Sequence, residues 1–342
     1  MRATMINGVR DVTVEDLPRP TIQEPGDAIL KVVAACVCGS DLWHYRGVVE
    51  TKTSHQMGHE YVGVIEELGS GVTGLQVGQF VVGSFITSDN ICEICEAGYQ
   101  SKCVHAQGVG AAQAEYVRIT NAAGTLVPTS EAPGERPDED LIPSLLAASD
   151  VLGTGWFGAV EAQAGPGKTV AVVGDGAVGL LAVLAAKELG AERIIAFSRH
   201  SDRQALAREF GATDIIEERG DEGVARLMEL TGGLGAHGVV EAVGTQESIE
   251  QGLRCARGGG YLSILGVAHG VNLSGRELFQ REVHVVAGGA PVRRFLPDLI
   301  GRIMRREIDP GKVFTLDLPL DEAPEAYAAM DERRAIKALL RP

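Results

Sequence analysis

The stretch Thr169-Val170-Ala171-Val172-Val173-Gly174-Asp175-Gly176-Ala177-Val178-Gly179 decides how this chain folds. Residues 169–174 form an apolar, β-prone run, three glycines follow in a G-x-G-x-x-G spacing, and apolar positions continue at helical length to Gly190. Alone, such a glycine pattern says little. Between a strand and a helix it gains a physical meaning: the turn is tight, the backbone comes close to a pyrophosphate, and the helix N-terminus faces the anion. Gly174, Gly176, Ala177, Val178 and Gly179 are therefore the expected dinucleotide contacts.

Downstream, strand and helix patterns alternate. Residues 193–197, 213–216, 238–243 and 261–266 read as strands, with 224–230 and 248–256 between them, which predicts a parallel, doubly wound sheet. His237 and Cys255 fall inside this pattern and read as structural. The end of the second strand bears on the choice of cofactor. In NAD-binding folds an Asp or Glu about twenty residues past the glycines binds the ribose 2′-hydroxyl. Nineteen residues past Gly179 stands Ser198, followed by Arg199, His200 and Arg203. A hydroxyl beside a guanidinium suits a 2′-phosphate, because the planar fork offers paired, charge-assisted hydrogen bonds. The expectation is NADP(H). The competing reading leaves Arg199 and Arg203 solvated at a helix start capped by Ser201. Past 283–289 the pattern changes to a long helix at 292–308 and a closing strand at 335–340.

Upstream, a β-prone run at 28–35 delivers the chain to a region rich in metal-binding chemistry. Cys38, Ser40, Asp41, His59 and Glu60 bring a thiolate, a hydroxyl, an imidazole and two carboxylates into residues 36–63. Thiolate with neutral imidazole favours zinc, and an open coordination position makes such a zinc catalytic. A third protein ligand must come from elsewhere. His55 precedes His59 by four residues, but no Glu follows His55, so this is not a metalloprotease helix and His55 reads as a loop histidine. Ser40 can reach a zinc-bound oxygen, or it is a turn residue.

A second candidate is Asp89-x2-Cys92-x2-Cys95-x7-Cys103, with Gly98 as a flexible point. Three sulfurs and one carboxylate can close a structural zinc site that orders a loop. A Cys92-x-x-Cys95 redox pair competes, but the βαβ context of a thioredoxin-like site is missing. Residues 115–118 read as a strand, 129–140 as a surface loop, 141–149 as a helix ending at Asp150, and 151–167 as a link with Trp156 facing a cleft.

With 342 residues, the chain can bury two cores. A net charge of −15 argues against nucleic acid and against an anionic membrane surface. No apolar run long enough for a membrane span and no signal peptide is read, which leads to the expectation of a soluble cytoplasmic protein. Six cysteines at short spacings point to metal or catalysis before disulfides.

Gly58-His59-Glu60, followed by Gly63, Gly69 and Val72, resembles the signature of the zinc-dependent medium-chain alcohol dehydrogenases. Cys38-Gly39-Ser40-Asp41 resembles that family's first zinc-ligand segment, and the likeness extends along nearly the whole chain. It is closest in pattern to bacterial NADP-dependent secondary alcohol and sorbitol-type enzymes. The resemblance implies an α/β protein with a GroES-like, mostly β catalytic domain at 1–150, completed by 290–342, and a Rossmann domain at 151–289, with the active cleft between them. It makes Asp150 the third ligand of the catalytic zinc, Ser40 the first proton acceptor from the alcohol, and Asp41 the carboxylate that orients His59. Glu60 is placed near the metal. Many relatives carry a proton-relay histidine where this chain has Trp43, so either His44 acts from a shifted position or water carries the proton. Trp43, Tyr45 and Phe85 become pocket-wall candidates; Leu265, Gly266 and Val267 are expected near the nicotinamide, and Lys337 near the cofactor phosphates. The implied activity is hydride transfer between a small alcohol and NADP(H) in a homodimer or homotetramer. A polyol dehydrogenase, a carbonyl reductase or a non-catalytic cofactor sensor remain as alternatives.

Overall fold

Strand Thr169–Val173 lies in the middle of a six-stranded sheet. The order across it is Asp214–Ile216, Arg193–Phe197, Thr169–Val173, Ala236–Glu241, Ala256–Ile264 and His284–Ala287, and every neighbouring pair is parallel. By chain position this is 3-2-1-4-5-6, so the strand order reverses at Thr169–Val173, where the glycine loop leaves the sheet. The apolar runs follow from burial on both faces: Ala171, Val173, Ile195, Phe197, Val239, Leu262 and Ile264 share one core. His237 has a structural partner there, its Nδ1 accepting the Thr169 backbone N–H at 3.0 Å. The structure, a computed structural model, describes residues 1–342. It divides into two compact units, Met1–Gly153 with Pro291–Pro342, and Thr154–Ala290.

The segment expected as a link is largely helix, Val151–Glu161. Three glycines disguise it in the sequence, and two of them serve close packing. A Cβ on Gly155 would stand 2.7 Å from the Ala182 nitrogen, and one on Gly158 would stand 2.5 Å from Leu265 Cδ1. The helix expected at 292–308 ends earlier, as Val292–Met304, and the chain turns through Arg306 at φ 58° before Pro310. No helix is long and apolar enough to cross a membrane.

The first unit is built on Ala28–Cys36, whose residues are buried except for Lys31 and the partly exposed Val33. This strand pairs antiparallel with Tyr61–Leu68 on one side, and with Tyr116–Ile119 and Lys337–Arg341 on the other. Phe80–Gly83 and Leu126–Pro128 extend the sheet beyond Tyr61–Leu68, and Phe314–Pro319 extends it beyond the C-terminal strand. Ala28, Leu30, Val32, Tyr61, Ile65, Val81 and Val117 form one core beneath it. A second core gathers Ile6, Val37, Leu42, Tyr45, Tyr327 and Leu340.

Candidate active site

Sheet register assembles the site. Ala35 pairs with Tyr61, and Cys36 with Leu339. Cys38 lies just beyond the end of one strand, His59 and Glu60 just before the start of its antiparallel neighbour, and Lys337 at the start of the other neighbour. All four therefore reach the same end of the sheet. Asp150 joins them from the break between helices Ile142–Ala148 and Val151–Glu161.

Ligand atoms of Cys38, His59, Glu60 and Asp150 all lie within 4.8 Å of one another. Asp150 Oδ2 is 3.3 Å from His59 Nε2 and 3.8 Å from Cys38 Sγ. Behind the ligands runs a buried chain of polar groups. His59 Nδ1 faces Asp41 Oδ1 at 3.4 Å, while Asp41 Oδ2 accepts the Cys38 N–H at 3.0 Å and the Gln113 amide at 3.1 Å. The Tyr327 hydroxyl then donates to Gln113 Oε1 at 3.1 Å. A carboxylate on Nδ1 leaves the Nε2 lone pair turned toward the donor cluster.

The electrostatics of this cluster favour a cation. Burial first, then Glu60, pushes the Cys38 thiol up; burial and Asp150 push the Glu60 carboxyl up against the pull of Lys337. Burial opposes charge on His59 and Lys337, yet the surrounding acids and thiols hold both well above their usual ranges. Burial thus raises the two acids first, whereas the neighbouring negative groups are what raise the two bases. Glu60 Oε2 is also buried with no hydrogen-bond partner. Thiolate, imidazole and carboxylate at this spacing fit zinc.

Lys337, expected near the cofactor phosphates, has its partners among the ligand group. It is 1% exposed, and its ammonium pairs with Glu60 Oε1 at 2.7 Å and donates to the Val37 carbonyl at 3.1 Å. Strand register, invisible in the local sequence, brings it to Glu60. Ser40 precedes helix Asp41–Tyr45, and its hydroxyl makes no capping bond. On that helix the His44 ring meets His55 edge-on at 5.4 Å, with Nδ1 buried and unpartnered. Phe85 stands 6.1 Å from the His59 ring, whereas Tyr45 belongs to the core, 5.5 Å from Tyr327. Gln113 and Tyr327 escaped the sequence reading, and nothing in their spacing marks them.

The ligand atoms of the second group, Asp89, Cys92, Cys95 and Cys103, likewise lie within 4.8 Å of one another. Asp89 Oδ1 accepts the Ile91 and Cys92 N–H groups at 2.9 and 3.0 Å, and Oδ2 faces His105 Nδ1 at 2.7 Å. Burial works against ionisation, but these partners hold Asp89 well below the usual carboxylate range. Cys103 Sγ accepts backbone N–H bonds from Asp89 and His105 at 3.3 and 3.4 Å. Three sulfurs and a carboxylate gathered this closely are a donor set that fits zinc.

In the other unit the three glycines have separate reasons. Gly174 has φ 116°, and a Cβ on Gly179 would stand 1.9 Å from the Gly174 carbonyl oxygen. A Cβ on Gly176 would meet nothing within 4 Å, so that backbone borders open space that a phosphate can enter. Ala177 and Val178 open helix Ala177–Glu188. Gly266 packs on Gly244, where a Cβ would stand 2.1 Å from the Gly244 nitrogen; Leu265 is half-buried and Val267 exposed. Arg199 is exposed at the end of the second strand. Arg203 is not solvated: it is 9% exposed and turned onto the glycine loop, donating to the Asp175 carbonyl at 3.1 Å.

Fold and ligand groups together define an oxidoreductase of the GroES-like plus Rossmann type. Residues 24–131 match the alcohol dehydrogenase GroES-like domain, and residues 177–294 match the zinc-binding dehydrogenase domain. Zinc-type alcohol dehydrogenase B of Aspergillus flavus is 33% identical, across 100% of this chain and 81% of its own length. An uncharacterized zinc-type alcohol dehydrogenase-like protein of Bacillus subtilis is 32% identical over the whole of both chains. The solved alcohol dehydrogenase TADH from Thermus sp. ATN1 superposes with a TM-score of 0.90 at 30% identity, covering 100% of this chain and 99% of its own. The chain belongs to the zinc-dependent medium-chain alcohol dehydrogenase family.

Proposed function

We propose that this enzyme interconverts a small alcohol and its aldehyde or ketone with NADP(H), using one catalytic and one structural zinc. The observation that carries the reading is the convergence of Cys38, His59, Glu60 and Asp150 at one end of a sheet. Cys38, His59 and Asp150 hold the catalytic ion, which when bound acts as a Lewis acid toward the substrate oxygen. The nicotinamide supplies the hydride chemistry. Asp41, fixed by the Cys38 N–H and Gln113, keeps the His59 tautomer that presents Nε2. The Ser40 hydroxyl, free of any capping bond, accepts the alcohol proton, and His44 with its unpartnered Nδ1 passes it onward. Glu60, its charge balanced by Lys337, retains one free oxygen toward the ligand group. Ser198 and Arg199 recognise the 2′-phosphate. The working form is a cytoplasmic homodimer or homotetramer.

The test combines metal analysis with kcat/KM for both cofactors across a panel of alcohols and carbonyls. We expect two zinc ions per chain and preference for NADP(H). Ser40→Ala should lower turnover about 10²–10⁴-fold with unchanged zinc content, the scale of a positioned acid–base group. A bound catalytic metal without turnover on the panel would overturn the enzyme reading in favour of a sensor, and preference for NAD(H) would overturn the cofactor choice.

A further inference from the structure

The end of the second Rossmann strand lacks the acid that selects a ribose 2′-hydroxyl; Ser198 stands in its place. The structure nevertheless brings a carboxylate there from another segment. Asp175, the residue between the first two glycines, accepts the Ser198 hydroxyl on Oδ2 at 2.8 Å. Its Oδ1 lies 3.4 Å from Arg203 Nη1, which also donates to the Asp175 carbonyl at 3.1 Å. Both partners are sheltered, with side-chain exposures of 12% for Asp175 and 11% for Arg203, and Ser198 is 3% exposed. Gln204 donates to the Ser198 carbonyl at 3.0 Å and to the Glu217 carboxylate at 3.0 Å, which holds the backbone that carries the hydroxyl.

We infer that Asp175 is a specificity-determining residue, an acid delivered by the glycine loop that sets how strongly a 2′-phosphate is preferred over a 2′-hydroxyl. The inference rests on the reading that this loop binds a dinucleotide. The Ser198 hydroxyl and the Arg203 guanidinium are two of the donors that a 2′-phosphate would use, and Asp175 engages both. A 2′-phosphate must take them from a carboxylate of its own sign, leaving Arg199 as the unopposed cation. A ribose 2′-hydroxyl instead finds an acceptor. Like charges brought together oppose binding, whereas a hydroxyl donating to a carboxylate favours it. The acid is thus present, displaced by 23 positions in sequence from the serine it touches.

The test uses the full zinc-loaded protein and two fragments that end before the nicotinamide, adenosine 2′,5′-bisphosphate and adenosine 5′-monophosphate, with Kd measured by calorimetry. In Asp175→Asn the ratio of affinities should move toward the bisphosphate by about tenfold, the monophosphate binding equally or more weakly. A structural role alone would weaken both fragments together and leave the ratio fixed. An unchanged ratio, or one moving toward the monophosphate, overturns the inference. If Asp175→Asn fails to fold, Asp175→Ser carries the same two outcomes. The wild-type ratio reports separately on the NADP(H) reading: a wild type that favours the monophosphate sinks that reading, while the change on substitution still decides the role of Asp175.

Discussion

The two ligand groups of the first unit are built in opposite ways. Asp89, Cys92, Cys95 and Cys103 come from one loop of residues 89–103, and their carboxylate is fixed by its own backbone through Ile91 and Cys92. Cys38, His59, Glu60 and Asp150 come from segments as far apart as residues 38 and 150, and strand register collects three of them. Local chemistry closes the first of these groups, whereas the fold closes the second. A group closed by local chemistry contributes order to its loop. One assembled by the fold can keep a free position, because no turn forces its donors around the ion.

The widest separation between the two should come from removing one thiolate at each. Cys38→Ser should lose one zinc and at least about 10³-fold in turnover, since the ion supplies several kcal/mol of transition-state stabilisation. Its thermal unfolding should remain cooperative, because the sheet and not the ion sets the register. Cys95→Ser should lose the other zinc and lower Tm, since zinc closing a loop contributes to folding. Metal analysis, kcat and Tm on both variants check this. Loss of turnover in Cys95→Ser as complete as in Cys38→Ser would break the distinction.

That same difference governed what could be read from sequence. The loop group is legible from its cysteine spacing, because its ligands are neighbours in the chain, with Asp89 placed by its register in the family's pattern. Asp150 was reachable only by resemblance: an acid followed by Val-Leu-Gly has no local signature. Resemblance points Lys337 toward the cofactor phosphates, and its pairing with Glu60 has no signal in the local sequence, because the register of Leu339 on Cys36 creates it. The parallel sheet was legible from alternating patterns, while helix Val151–Glu161 was hidden by glycines whose purpose is close packing. Asp175 shows the same limit, since its contact with Ser198 depends on how the glycine loop folds back.

A second, smaller effect sharpens the contrast. The fold-built group contains the 1%-exposed Lys337 against the fully buried Glu60. Lys337→Met leaves that carboxylate without its counter-charge and should cost about 3–5 kcal/mol in urea unfolding of the zinc-loaded protein. Glu60→Gln combined with Lys337→Met should recover much of the loss, because both charges are then gone. A loss below about 1 kcal/mol in the single variant, the scale of an exposed pair, would show that water or the ion replaces Lys337.

The smallest effects concern the groups behind the ligands, and they test the comparison most finely. Asp41 holds His59 in the fold-built group, and it is buried with Gln113 and Tyr327 as further support. His105 holds Asp89 in the loop group, but its side chain is 67% exposed and Asp89 already has two backbone donors. Asp41→Asn keeps the shape and removes the charge that favours the correct imidazole tautomer. It should weaken zinc at that group about 10–100-fold, the range found when a ligand's supporting carboxylate is lost. His105→Ala removes one exposed contact from a carboxylate that the backbone still orients. Zinc at the loop group should weaken at most about fivefold, in keeping with the low worth of exposed pairs. Competition with a chromophoric chelator, following the two ions separately, gives both numbers. If His105→Ala proves as damaging as Asp41→Asn, the loop carboxylate depends on a side chain as much as His59 does, and local backbone closure is not what distinguishes the two groups.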